Sequence, residues 1–214
     1  MTTELVANYM WRMRPNERKP IPRECIERNL TMMPKHYIID PEEINSLAKE
    51  TPILKDLWDK IPHWIIKADL GRLLYIYNRG NFYFDVDCLI RKKLDTVHAN
   101  KMVLFTESIV SSVDRLGPRE CKNPENVLRV ANYAFGTVVV KHPFLKEVID
   151  ECIARLSWLI QTNTTPSDSD ILWVCGPDVI TTMYHRSHKH YSDILLLDQS
   201  YLSHLCYGSW RGGS

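Results

Sequence analysis

Short apolar runs alternate with amphipathic stretches from one end of this chain to the other, and that alternation limits the folds open to it more than any other feature. "ELVANYMW" (4–11), "HYIID" (36–40), "NFYF" (81–84), "KMVLFTE" (101–107), "YAFGTVVVK" (133–141) and "DILLLD" (193–198) read as strands. Between them, "PRECIERNL" (22–30), "PEEINSLAKE" (41–50), "ILKDLWDKIP" (53–62), "HWIIKADLGRLLYIYNRG" (63–80) and "PFLKEVIDECIARLSWLIQ" (143–161) carry helical spacing. "SDILWVCGPDVITTMYH" (169–185) reads as helix, turn, helix, and the tail "SHLCYGSWRGGS" as loop. Strands that alternate with helices make an α/β domain with a mostly parallel sheet. In such sheets the ligand sits outside the carboxyl ends of the strands.

One strand end stands out. "GNFYFDVDC" (80–88) closes an apolar run with Asp85 and Asp87. Side chains alternate faces along a strand, so Phe82, Phe84 and Val86 share one face and Tyr83, Asp85 and Asp87 the other. Two carboxylates that close repel unless a cation sits between them, and a hard divalent ion such as Mn²⁺ or Mg²⁺ prefers carboxylate oxygens. The alternative is a solvated strand end whose acids merely avoid the core. On the helix just before, Asp69 and Arg72 lie three apart and so share a face. They read equally as a surface pair of little energetic weight. Gly71 between them costs roughly 1 kcal/mol against alanine, which a close approach by another group would explain.

Composition excludes several classes. A formal net charge of +1 over 214 residues argues against a nucleic-acid partner. No run of 18 apolar residues offers a membrane span, and no signal peptide is visible, so the expected location is cytoplasmic. The six cysteines are scattered, without a C-x-x-C pair, and read as reduced and mostly buried. Only 8 glycines are present, with neither G-x-G-x-x-G nor a P-loop. A nucleotide bound here would need a metal, rather than a glycine-rich loop, to neutralise its phosphates.

The stretch "KADLGRLLYIYNRGNFYFDVDC" resembles the sugar-binding region of the DXD-containing glycosyltransferases. There a helix carrying D-x-x-R leads through a Gly turn and an aromatic strand into D-x-D, here Asp69, Arg72, Gly80, Tyr83, Asp85 and Asp87. "NYMW", "ANYAFGTVVVKHPFLKEVI", "CGPDVIT" and "HLCYGSW" resemble further family segments in the same order. The compact format is similar to that of the first domain of capsid-modifying glycosyltransferases of large algal viruses. The resemblance implies a single GT-A (Rossmann-like) domain over 1–214, standing alone or as one domain of a longer protein. It implies metal-dependent transfer of a sugar from a UDP-sugar donor to an acceptor hydroxyl on a glycan or glycoprotein, with retention. It also implies site residues. Asp85, Asp87 and His204 would hold Mn²⁺ or Mg²⁺. Asp69 and Arg72 would bind donor-sugar hydroxyls, and Trp11, with Met10 beside it, would stack on the base. Ser209 and Trp210 would close over the diphosphate.

Each role has a competitor. Trp11 at the end of an apolar strand suits a core, and the final residues suit a frayed terminus. A retaining enzyme needs a group beneath the reacting carbon, and Asp170 is the candidate; a helix cap explains that residue equally. At the level of function, the alternative is a nucleotide-sugar-binding domain that has lost turnover. A phosphohydrolase would need more clustered Asp and His than the chain contains.

Overall fold

The computed structural model describes residues 4–11, 13, 14, 16, 18–95, 98, 100–109, 128–162 and 165–205. The elements run β1 (Val6–Met10), α1 (Glu24–Asn29), β2 (Lys35–Ile39), α2 (Pro41–Glu50), α3 (Pro52–Lys55), α4 (Trp64–Arg79), β3 (Asn81–Phe84) and β4 (Cys88–Ile90). They continue with β5 (Met102–Ile109), β6 (Leu128–Thr137), α5 (Pro143–Thr162), α6 (Asp168–Val174), α7 (Pro177–Ser187), β7 (Ile194–Leu197) and β8 (Leu202–His204). Among the described residues, six strands form the central sheet in the order β2-β1-β3-β6-β5-β7. β1 pairs parallel with β2 and β3, and β5 parallel with β7, while β6 runs antiparallel to both its neighbours. The class is α/β, with a mostly parallel sheet flanked by helices. None of the described helices is long and apolar enough to cross a membrane.

Strand alternation sorts the core into two layers. Tyr83, Leu104 and Phe135 face the cluster built with α2, α4, α5, α6 and α7, through Ile44, Leu70, Phe144, Val174 and Val179. Phe82, Phe84, Val86 and Phe105 face the opposite cluster, with Ile26, Ile90 and Leu202. The helix that feeds the DVD segment is set by local chemistry at both ends. His63 caps α4 by accepting from the Ile65 N–H at 3.2 Å. Gly80 ends it at φ 71°, a conformation that disfavours a side chain. In mid-helix, a Cβ on Gly71 would meet Ile44 Cγ2 at 2.7 Å, so the glycine admits the close packing of α2 on α4.

The structure departs from the periodicity in three places. "ILKDLWDKIP" forms α3 and a separate 3₁₀ turn, Trp58–Lys60, rather than one helix. The turn sinks Trp58 fully into the core, where its indole N–H donates to Asn45 Oδ1 at 2.9 Å. β6 starts at Leu128 and ends at Thr137, leaving Val139 and Val140 exposed. The tail holds a strand, β8, which pairs antiparallel with β4.

Candidate active site

β3 ends at Phe84, one residue short of the first aspartate. Asp85, Val86 and Asp87 lie in a tight turn closed by Cys88 N–H donating to Asp85 O at 3.0 Å. The expectation that both acids are strand residues is corrected by this turn, yet their convergence survives. One ligand oxygen from each aspartate and the His204 imidazole nitrogen all lie within 4.8 Å of one another. His204 arrives from 117 residues away because β8 pairs with β4 in a register that sets Cys88 opposite His204. Its Nε2 stands 3.1 Å from Asp87 Oδ1 and 4.0 Å from Asp85 Oδ2. Tyr133 fixes both sides of the cluster. Its ring stacks on the His204 imidazole, with centroids 4.1 Å apart, and its carbonyl accepts the Asp85 N–H at 2.8 Å.

Asp85 divides its oxygens between two tasks. Oδ1 accepts from the Tyr83 hydroxyl at 2.6 Å and pairs with Arg72 Nη1 at 3.0 Å, which leaves Oδ2 toward His204. Arg72 also holds Asp69 Oδ1 through Nη2 at 2.7 Å, donates from Nη1 to Asn132 O, and lies over the Tyr83 ring. The side chains of Arg72 and Asp69 are only 10% and 7% exposed, which excludes the surface-pair reading. Burial pushes the Asp69 carboxyl up to about 7, against the pull of Arg72 and with Asp85 adding to the rise. Burial works against the Arg72 charge as well, but Asp85, Tyr83 and Asp69 more than offset it, and its pKa rises. Arg72 therefore stays a cation between two carboxylates. Its buried Nε has no hydrogen-bond partner among the described residues.

These groups border a cavity of about 300 Å³, whose lining includes Met10, Trp11, Trp64, Arg72, Asp85 and Asp87. Trp11 is half-buried and donates from Nε1 to Lys19 O at 3.1 Å. It walls the cavity and also packs against the core layer behind it. Asp69 is not among the lining residues and reaches the site through Arg72. Asp170 stands apart as well. It completes a capping box on α6, with Ser167 Oγ accepting from its N–H at 3.2 Å and its Oδ2 accepting from the Ser167 N–H at 2.9 Å. It does not line the cavity. Ser209 and Trp210 lie outside the described residues. Sequence reasoning missed Trp64, Tyr83 as a hydrogen-bond donor to Asp85, and Tyr133; the aromatic content of these segments was the only available signal. A larger cleft of about 540 Å³, lined in part by Lys35, Tyr37, Tyr75 and Arg79, lies at the other end of the strands. The Asp85, Asp87 and His204 cluster is the one such group among the described residues and is not part of it.

Residues 15–104, which contain both Asp69–Arg72 and the DVD turn, match a family model described as the glycosyltransferase sugar-binding region containing a DXD motif. Among solved structures, the chain is similar to "PaToxG Glycosyltransferase" at 14% identity, with a TM-score of 0.56 over 86% of this chain and 69% of that one. It also aligns with "Structure of Transferase" at 10% identity, with a TM-score of 0.45 over 96% and 94% of the two chains. No curated protein matches it.

Proposed function

We propose that this chain is a metal-dependent glycosyltransferase that moves a sugar from a nucleotide-diphosphate sugar, a UDP-sugar, to an acceptor hydroxyl on a glycan or glycoprotein, with retention. The observation that carries the reading is the convergence of Asp85, Asp87 and His204 at the edge of a cavity walled by Trp11 and Arg72. The donor set fits a divalent cation. Two carboxylates and an imidazole suit Mn²⁺ and, less well, Mg²⁺. Arg72 offsets only part of their negative charge, because it is shared with Asp69. A cation held there would stabilise, as a Lewis acid, the charge that builds on the departing diphosphate.

The chain's own residues bind and orient. Trp11 offers an aromatic face to the base, with Met10 beside it. Arg72 brings a buried N–H that lacks an acceptor, a costly state that a ligand hydroxyl relieves. Asp69 holds Arg72 in place rather than reaching the sugar itself. Tyr83 and Tyr133 hold Asp85 and His204 in register. Ser209 and Trp210 take their roles at the diphosphate from the resemblance alone. Asp170 is the candidate beneath the reacting carbon because a retaining enzyme needs a group there, although its carboxylate is committed to a helix cap.

Isothermal titration with UDP, with and without Mn²⁺, tests the reading. The wild type binds UDP only with the metal, and Asp87→Asn loses that metal-dependent binding while keeping its melting temperature. Metal-independent UDP binding by the wild type, or unchanged binding by the variant, refutes it. Hydrolysis of a UDP-sugar then separates an enzyme from a domain that only binds.

A further inference from the structure

Glu107 is a half-buried carboxylate that the proposed chemistry does not use. It lies near the carboxyl end of β5, which runs parallel to β3 because both are antiparallel to β6. Glu107 therefore lies on the same carboxyl edge of the sheet as the DVD turn, beside the lining of the cavity of about 300 Å³ rather than in it. The register of β5 against β6 shifts just before it, between Leu104 and Thr106, and across it, between Thr106 and Ser108. Such bulges re-aim side chains and are over-represented beside active sites.

The groups around Glu107 hold it without using it up. Its Oε2 accepts from Arg129 Nε at 2.8 Å, and Arg129 Nη1 reaches Asp178 Oδ1 at 2.6 Å. Gln199 Nε2 donates to the Glu107 carbonyl at 2.7 Å and clamps the backbone. No second hydrogen bond or ion pair of the carboxylate is found among the described residues. The Asp178 side chain is 6% exposed and that of Glu107 19%, so the network is closed at one end and open at the other. Asp178 takes a share of Arg129, so Arg129 orients Glu107 without fully neutralising it. Burial raises the Glu107 pKa, and the neighbouring Arg129 pulls it down.

We propose that Glu107 is the acceptor-side carboxylate of this site: its Oε1 receives the hydrogen bond of a hydroxyl on a neutral sugar acceptor, and Arg129, shared with Asp178, sets its orientation. The inference rests on the glycosyltransferase reading above. A neutral acceptor follows from charge. Glu107 and Asp178 share Arg129, which leaves net negative charge in the cluster, and an anionic acceptor would be repelled. A carboxylate accepts hydrogen bonds from hydroxyls and donates none when ionised.

The test uses the full chain with Mn²⁺ and UDP and a panel of methyl glucosides, galactosides and mannosides, read by saturation-transfer NMR, with UDP binding read by calorimetry. The wild type binds at least one glycoside. Glu107→Gln weakens that glycoside tenfold or more and leaves UDP affinity within twofold. Asp178→Asn keeps Glu107 but lets Arg129 bear on it alone, so the acid limb of glycoside binding moves to lower pH. The charged groups facing Glu107 in that measurement are Arg129 on β6, Asp178 on α7 and His204 on β8. Equal glycoside affinity in Glu107→Gln, an unmoved acid limb in Asp178→Asn, or a wild type that binds UDP but no glycoside overturns the proposal. A wild type that fails to bind UDP with Mn²⁺ overturns the glycosyltransferase reading itself, so the two failures are distinct.

Discussion

Arg72 and Arg129 each stand between two carboxylates, and in both cases one acid comes from a helix and the other from the carboxyl end of a strand. Asp69 on α4 and Asp85 after β3 flank Arg72; Asp178 on α7 and Glu107 on β5 flank Arg129. In each cluster the helical acid holds the guanidinium, and the guanidinium holds the strand-end acid toward the open edge of the sheet. The clusters differ in depth and in what remains unsatisfied. Arg72 is the more buried and keeps a buried N–H without a partner among the described residues. In the Arg129 cluster, the open position is a carboxylate oxygen near solvent. A buried donor seeks an acceptor and an open carboxylate seeks a donor. The first cluster is thus fitted to hold the donor sugar and the second to receive a hydroxyl.

The comparison breaks most readily at the arginines. Arg72→Met leaves Asp69 buried without its cation, and removing one partner of a buried pair costs about 3–5 kcal/mol. Arg129→Met costs less, because Glu107 can reach water. Urea unfolding of both variants measures the difference, and equal losses would contradict the assigned depths. Trp11→Ala comes next. Base stacking on an aromatic side chain is worth about 1–3 kcal/mol, so UDP affinity falls by that amount, whereas Glu107→Gln leaves it unchanged. A Trp11 that serves only the core would instead lower the melting temperature and spare UDP binding.

The pH dependence of stability sharpens the contrast further. The Asp69 carboxyl lies at about 7 in the fold, against an ordinary value of 3.8. Between those values the folded state holds a proton that the unfolded chain has released. Stability therefore falls as pH rises through that window, by at most about 1.4 kcal/mol per pH unit, and is level outside it. Asp69→Asn removes this component. Urea midpoints from pH 4 to 8 should show the wild type declining relative to the variant, and parallel curves would place the Asp69 pKa at its ordinary value. The smallest effect belongs to Asp170, outside both clusters. Asp170→Ala loses a capping partner, a change worth about 1 kcal/mol, and leaves UDP binding as it was. A loss of sugar transfer at unchanged stability would return Asp170 to the chemistry.

What could be read directly from the chain was local. The helix of Asp69 and Arg72, its stop at Gly80 and the alternation that sets Tyr83 on the face opposite Phe82 and Phe84 depend on residues within one helix and the strand after it. A period of 3.6 and a period of 2 suffice to place them. The α/β class follows in the same way, from the order of the two periods along the chain. Gly71 was legible as a close approach, but not Ile44 as the group approached. The rest depended on contacts that no period encodes. The aspartates lie in the turn between β3 and β4, and only the pairing of β4 with β8 brings His204, 117 residues on, beside Asp87. At Asp170 the sequence offered a helix cap as one of two readings, and the Ser167 hydroxyl and amide, three residues away, make that cap. The Arg129 cluster draws on positions 107, 129 and 178, which lie on three different elements far apart in the sequence. Hydrophobic periodicity records which face of an element is buried, not which distant element covers it. Pairing of β4 with β8, and the sharing of one arginine by two acids, are decided by the packed sheet, where desolvation makes an unpaired charge too costly to leave in place.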